Sequence, residues 1–141
     1  MMKITLQENN IEVSEYLYLR EQVGWRKLSD TQAQKAIENC LYIVKAVDEA
    51  GTVCGMGRLV GDGAVIVYIQ DLIVLPGAQG MGIGSMLISA LMDYAKKLQE
   101  EGTTMMLCLM CAKGREPFYE KHGFIKRPNE TLGPGMIQFL S

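Results

Sequence analysis

Long apolar runs are missing from this chain of 141 residues. No stretch approaches the roughly 20 residues that a membrane-spanning helix needs. The opening Met1-Met2-Lys3 leads into mixed polar sequence, not into the apolar segment of a secretion signal. A cytoplasmic protein with no membrane partner is therefore expected. An excess of one charge is missing too: a formal net charge of −2 offers no electrostatic footprint for nucleic acid or an anionic lipid surface. Histidine occurs once, and His122 falls in a Lys-His-Gly turn where a solvated imidazole is expected. Repeats, linkers and low-complexity segments are absent. A hydrophobic content of 48% with 21% charged residues excludes disorder and suits one domain over residues 1–141.

Cysteine is scarce, and its spacing argues against a metal or a disulfide. Cys108 and Cys111 are three apart, as in zinc and redox motifs, but they fall in the apolar run Met105 to Cys111, which reads as a strand. Alternate strand residues face opposite sides, so an odd spacing points the two thiols apart. No second close pair completes a site. Buried free thiols and no metal are expected. The ten methionines read as core filler.

What is present is concentrated between Asp71 and Ser85. An apolar strand, Ala64 to Leu75, stops at Pro76, and Gly80, Gly82 and Gly84 then open a helix. From Met81 to about Gln99, Ile83, Met86, Leu87, Ala90, Leu91, Tyr94 and Leu98 recur at three and four residues and give one apolar face. The first amides of a helix lack intrahelical partners and sit at its positive end, while glycine lets the backbone approach a ligand. Strand, glycine turn and helix start together make a phosphate cradle. A nucleoside-triphosphate loop fits badly, because Gly84 is followed by Ser85-Met86 where Lys-Ser or Lys-Thr is required. A dinucleotide loop fits badly as well: its third glycine position holds Ser85, and Glu100 and Glu101 lie in the tail of the helix, not at a strand end.

Around this centre the pattern alternates helices and strands. Ile4 to Leu6 reads as a short strand and Ser14 to Val23 as a weakly patterned helix. Ser29 to Gln32 reads as a capping box for a helix running to about Asn39. Leu41 to Val47 and Val53 to Val60 are strands that join the long third one in a meander. Met105 to Cys111, with its near-continuous apolar run, is expected to be buried on both faces. A short helix starts at Pro117, and Phe124 to Lys126 and Met136 to Leu140 are expected to close the sheet. The class is a mixed α/β (α+β) sandwich.

Gln79-Gly80-Met81-Gly82-Ile83-Gly84 resembles the pyrophosphate loop of the GNAT N-acetyltransferase superfamily, and Phe118-Tyr119-Glu120-Lys121-His122-Gly123-Phe124 resembles that family's downstream Phe-Tyr-x-x-x-Gly-Phe segment. The likeness covers about Leu41 to the C-terminus. It implies an acyl-CoA N-acyltransferase fold, with a six- to seven-stranded splayed sheet flanked by about four helices. It also implies transfer of an acetyl group from the cosubstrate acetyl-CoA to a primary amine of a small molecule, by direct attack in a ternary complex. In this reading Gln79, Gly80, Met81, Gly82, Ile83, Gly84 and Ser85 hold the coenzyme, and Leu72, Ile73 and Val74 present backbone to its pantetheine arm. The Ile73 amide would steady the oxyanion, and Tyr119 would protonate the leaving thiolate beside the coenzyme sulfur. Asp71 interrupts an apolar strand and is either a base, with or without a water chain, or a hydrogen-bonded structural carboxylate. Tyr68 and Gln70 lie on the opposite strand face by alternation and are secondary substrate-site candidates, unless a bulge near Asp71 changes the phase. Trp25 is either a lid over the amine or an anchor for its loop. Val23-Gly24-Trp25 and the Asp71 strand faintly resemble arylalkylamine (serotonin-type) acetyltransferases. A protein or peptide acceptor, or a non-catalytic acyl-CoA-binding module, remains an alternative. A homodimer is a family expectation.

Overall fold

The computed structural model of the chain describes residues 3–141. It comprises two compact units, Met1–Leu107 and Cys108–Ser141. In the first unit, β1 (Thr5–Glu8), α1 (Val13–Gln22) and α2 (Asp30–Glu38) precede a meander of β2 (Tyr42–Val47), β3 (Val53–Gly61) and β4 (Ile66–Val74). A 3-10 turn at Pro76–Ala78 leads into α3 (Ile83–Leu98). β5 (Met106–Leu109) runs across the boundary between the units, and α4 (Glu116–Lys121) lies in the second. The sheet order is β1-β2-β3-β4-β5, with antiparallel pairing from β1 through β4. The β4–α3–β5 link is a helical crossover, the connection that parallel neighbours need.

Local chemistry sets the helix boundaries. Ser29 accepts from the Gln32 amide at 3.0 Å while the Gln32 side chain accepts from the Ser29 amide at 3.3 Å, which completes the expected capping box on α2. α3 buries Ile83, Leu87 and Leu91 of the expected stripe together with Ile88 and Ala95, while Met86, expected on that face, is exposed. Its stripe packs on one face of the sheet, where Tyr94 stacks on Tyr42 with ring centroids 4.2 Å apart. α1 and α2 cover the other face. There Tyr16, Leu19, Ala33, Ile43, Val53, Met56 and Ile73 form one buried cluster.

Gly55 and Gly57 explain how α3 comes so close to β3. A Cβ at Gly57 would lie 2.7 Å from Leu91 Cδ1, and one at Gly55 would lie 2.8 Å from the Ile73 carbonyl oxygen. The helix and the neighbouring strand occupy the space that side chains would need.

Three expectations are corrected. Residues 124–126 and 136–140 form no strands, so the sheet has five strands among the described residues, not six or seven. β5 is shorter than its apolar run and is not buried on both faces, since Met106 is 50% exposed. Cys111 lies beyond β5 and is exposed instead of buried, while Cys54 is buried and Cys40 and Cys108 are half-buried free thiols.

Gly55→Ala is expected to lower unfolding free energy by about 1–3 kcal/mol in urea titration, because its new methyl meets backbone. Gly57→Ala should cost less, since the side-chain ends of Leu91 and Leu72 can turn aside.

Candidate active site

β4 runs regularly from its hairpin end up to Gln70, which pairs with Arg58. The next pair on the far side is Ile73 with Met56. Between them β4 spends one residue more than β3, so Asp71 and Leu72 together oppose Gly57: a β-bulge. Asp71 sits at φ 60°, in the left-handed region. Had the regular register continued, Asp71 would have opposed Gly57 and faced α3. The bulge turns it to the α1 side instead, onto the same face as Arg58 and Gln70.

There the carboxylate is fully enclosed. Oδ2 accepts from the Tyr16 hydroxyl at 2.6 Å and from Arg58 Nε at 3.0 Å, with Arg58 Nη2 also at 3.0 Å. Oδ1 accepts from Arg20 Nη1 at 2.5 Å and from Gln70 Nε2 at 3.4 Å. The Asp71 side chain has no solvent exposure, and those of Arg20 and Arg58 retain 12% and 11%. Arg58 also donates to the Ala36 carbonyl in α2 at 3.4 Å, and Arg20 to the Arg26 carbonyl at 3.2 Å. The Arg20 guanidinium lies 5.3 Å from the Trp25 ring centre. Burial first, and then the Asp71 charge and its hydrogen bond, push the Tyr16 phenol up to about 12.

Beyond the bulge, the Leu75 amide donates to the Cys54 carbonyl at 2.9 Å, toward β3. Amides alternate sides along a strand, so the Ile73 amide points toward β3 as well, as does its carbonyl beside Gly55. Ile73 is therefore corrected as the donor to a bound carbonyl. Leu72 and Val74 direct their amides away from β3. The placement of Gln70 opposite Asp71, expected from simple alternation, is corrected for the same reason: the bulge brings both side chains together. Tyr68 pairs with Val60 and is half-buried.

Gln79 donates from Nε2 to the Val74 carbonyl at 3.2 Å and so ties the turn to the end of β4. Gly80 and Gly82 have φ of 82° and 80°, and the space where their Cβ atoms would stand is open. Gly82 caps α3 with no side-chain cap and no acidic residue in the first turn, and Met86 makes a backbone bond to Gly82 at 3.1 Å. The backbone nitrogens of Ile83, Gly84 and Ser85 stand in that first turn. Gly80, Met81 and Gly82 are exposed, so an anion can reach this end of the helix. These features fit a diphosphate. A groove of about 710 Å³ between α1 and α2, lined by residues such as Leu17, Gln34 and Glu38, includes none of the residues named here.

In the second unit, Tyr119 sits in α4 with its ring edge-on to Phe118 and Phe124, at 5.1 and 6.0 Å. The Gly123 turn, at φ 91°, closes the segment through a bond from the Phe124 amide to the Tyr119 carbonyl at 3.1 Å. Burial raises the Tyr119 pKa above its usual value, with Cys111 adding to the rise. The phenol therefore stays protonated at neutral pH.

Sequence reasoning missed Tyr16, Arg20 and Arg58. A signal existed for one of them: Arg58 is the one charged residue of β3 and Asp71 the one charged residue of β4.

The chain belongs to the Acetyltransferase (GNAT) family, whose family model matches residues 9–124. Among curated relatives it is 28% identical over 127 residues to the uncharacterized N-acetyltransferase ycf52 of Pyropia yezoensis, covering 88% of this chain and 71% of that one. Among solved structures it is similar to a GNAT-family acetyltransferase from Streptococcus pneumoniae, with 32% identity, 99% and 98% coverage and a TM-score of 0.79. A protein of unknown function from methicillin-resistant Staphylococcus aureus, described as a probable acetyltransferase, matches at 28% identity with 99% and 100% coverage and a TM-score of 0.83. The chain is accordingly an acetyl-CoA-dependent N-acetyltransferase with the mixed α/β fold of that family. No helix among the described residues is long and apolar enough to cross a membrane.

The Tyr16 phenol titrates higher in the folded protein than in the unfolded chain, so its contribution is complete below about pH 10 and lost as pH rises toward 12. Unfolding free energy should fall across that window by on the order of 2 kcal/mol. Tyr16→Phe should remove this component of the pH dependence, as read by urea titrations at pH 8, 10 and 11.5.

Proposed function

We propose that residues 1–141 act as one domain that moves the acetyl group of acetyl-CoA onto a primary amine of a small molecule, by direct attack within a ternary complex in the cytoplasm. The observation that carries this reading is the open glycine turn, with Gly80 and Gly82 in left-handed conformation at the start of α3 and directly after the β4 bulge. Backbone nitrogens from Gly80 to Ser85 bind the diphosphate. Leu72 and Val74 offer outward backbone groups to the pantetheine arm, in the manner of an added strand. Ile73 supports them from the buried face.

The coenzyme supplies an activated thioester. The protein must orient its carbonyl, admit a neutral amine and protonate the departing sulfur. A backbone amide at Leu72 or Val74 orients the carbonyl. As the new C–N bond forms and the C–S bond breaks, the nitrogen passes one proton to solvent water and the sulfur takes one from the Tyr119 hydroxyl, which solvent then reprotonates. With both oxygens of Asp71 engaged by Tyr16, Arg20, Arg58 and Gln70, its carboxylate braces the strand instead of taking the amine's proton. Trp25 is 39% exposed, which supports an aromatic face for the acceptor, and Tyr68 and Gln70 flank it in this reading.

Calorimetry with coenzyme A and a thiol-release assay over a panel of amines and peptides test the proposal. Binding together with thiol release on small amines is expected. Binding without release on any acceptor would favour a non-catalytic acyl-CoA-binding module, and release with peptides alone would favour a protein acceptor. Gly82→Ala should weaken coenzyme binding about tenfold, from a left-handed strain of about 1–2 kcal/mol. Tyr119→Phe should lower kcat about 100-fold with little change in coenzyme affinity. No alkaline loss of kcat assignable to Tyr119 should appear below about pH 10, because its pKa is raised from the usual tyrosine value.

A further inference from the structure

Asp71 holds a backbone conformation that side-chain-bearing residues rarely adopt, and the reason lies outside β4. A left-handed residue with a side chain is strained, because its Cβ crowds the following carbonyl oxygen. Letting β4 relax to a regular register would swing the Asp71 carboxylate to the α3 face. Arg20 and Arg58 would then be left enclosed without their shared anion. Leaving a buried charge without its partner costs more than one residue's left-handed strain, so the clamp outweighs the strain. The donors come from separate elements: Tyr16 and Arg20 from α1, and Arg58 from β3. Arg20 extends the connection further, since it donates to the Arg26 carbonyl and lies against Trp25 in the α1–α2 loop.

We infer that Asp71, clamped by Tyr16, Arg20 and Arg58, is a positioning residue that fixes the β4 bulge, so that the adjoining Leu72 amide points away from β3 at the angle needed to hydrogen-bond an acetyl carbonyl. The inference rests on the proposed binding of acetyl-CoA along β4. It assigns the carboxylate no proton transfer and no contact with the substrate. Its effect passes through the backbone: one residue on, the bulge decides which amides β3 consumes and which remain for a ligand. It also ties the loop carrying Trp25 to the strand that carries the acetyl group, through the single Arg20 side chain.

The test is isotope-edited infrared spectroscopy of acetyl-CoA labelled with carbon-13 at the acetyl carbonyl, bound to the full chain. Coenzyme affinity is measured by calorimetry, and folding by circular dichroism, on the same samples. In the wild type the thioester carbonyl band should move to lower frequency on binding, as a hydrogen-bonded carbonyl does. In Asp71→Asn, which keeps size but gives up the charge and one acceptor oxygen, most of that shift should vanish while affinity for unacetylated coenzyme A changes less than about threefold, because the diphosphate cradle is untouched. Arg58→Lys keeps the positive charge but not the two-point contact, so an intermediate shift is expected. A folded Asp71→Asn protein with the wild-type shift overturns the inference. Should Asp71→Asn fail to fold, Arg58→Lys decides, and an unchanged shift in it overturns the inference equally. Binding by the wild type without any carbonyl shift also overturns it. Absence of wild-type binding to coenzyme A instead sinks the coenzyme reading on which it rests, so the two failures are distinct.

Discussion

One carboxylate held between two guanidinium groups organises the first unit. Asp71 joins two helices, two strands and the loop between α1 and α2 through hydrogen bonds of 2.5 to 3.4 Å that all converge on its two oxygens or continue from their donors. The cluster carries one net positive charge, so it is costly to bury and costlier to break. Exchanging a buried ion cluster for well-packed apolar groups is often neutral for stability. Here such an exchange would release the bulge, because the contacts that hold Asp71 at φ 60° are those made by its carboxylate. The polar cluster is therefore tied to geometry more than to stability.

The bulge has consequences on both faces of the sheet. Toward α1 and α2 it places Ile73 in the same buried cluster as Met56, Tyr16 and Leu19. Toward α3 it lets Leu72 fill the space beside Gly57 that a side chain there would have claimed. Along the strand it reverses the sides to which successive amides point. A few residues later Gln79 pins the glycine turn to the Val74 carbonyl, so the bulge and the helix start are held in a fixed relation over a short span. Acetyl transfer needs such a relation: a diphosphate anchored at one end, and a carbonyl oriented at the other.

Much of this was legible in the sequence, and the boundary of legibility has a physical basis. The glycine turn, the α3 stripe and the Ser29 capping box are encoded by residues within a few positions of one another; the turn and the box appear where the pattern places them, and the stripe does so at Ile83, Leu87 and Leu91 but is rotated toward Ile88 and Ala95 and away from Met86. Asp71 was visible as an anomaly because a lone acid in an apolar strand demands a partner. Its partners were not visible. Arg20 lies 51 residues away and Tyr16 lies 55 away, and no local periodicity records a contact over such a distance. The bulge was hidden for another reason. Strict alternation predicts the face of every strand residue from any one of them, and a single extra residue inverts all that follow. That is why Gln70, expected across the strand from Asp71, stands beside it instead. The apolar residues 136–140 satisfied a strand pattern, yet composition alone does not supply a pairing partner, and no strand forms there.

Arg58 and Asp71 show how that inversion can be detected from sequence in other chains. Each is the one charged residue of its strand, and the strands are joined by a tight hairpin whose register is set by Asp62, which accepts from the amides of Ala64, Val65 and Ile66 at 2.8 to 3.0 Å. Counted from that turn without interruption, Arg58 opposes Gln70, and Asp71 falls on the wrong face to reach it. Two opposite charges on adjacent buried strands cannot both stay unpaired, since each would cost several kcal/mol. Either the strands separate or one of them gains a residue. A hairpin whose two charges are out of phase by a single position therefore predicts a bulge at one of them. Asp is the better host, because it tolerates the left-handed region more readily than a long or branched side chain.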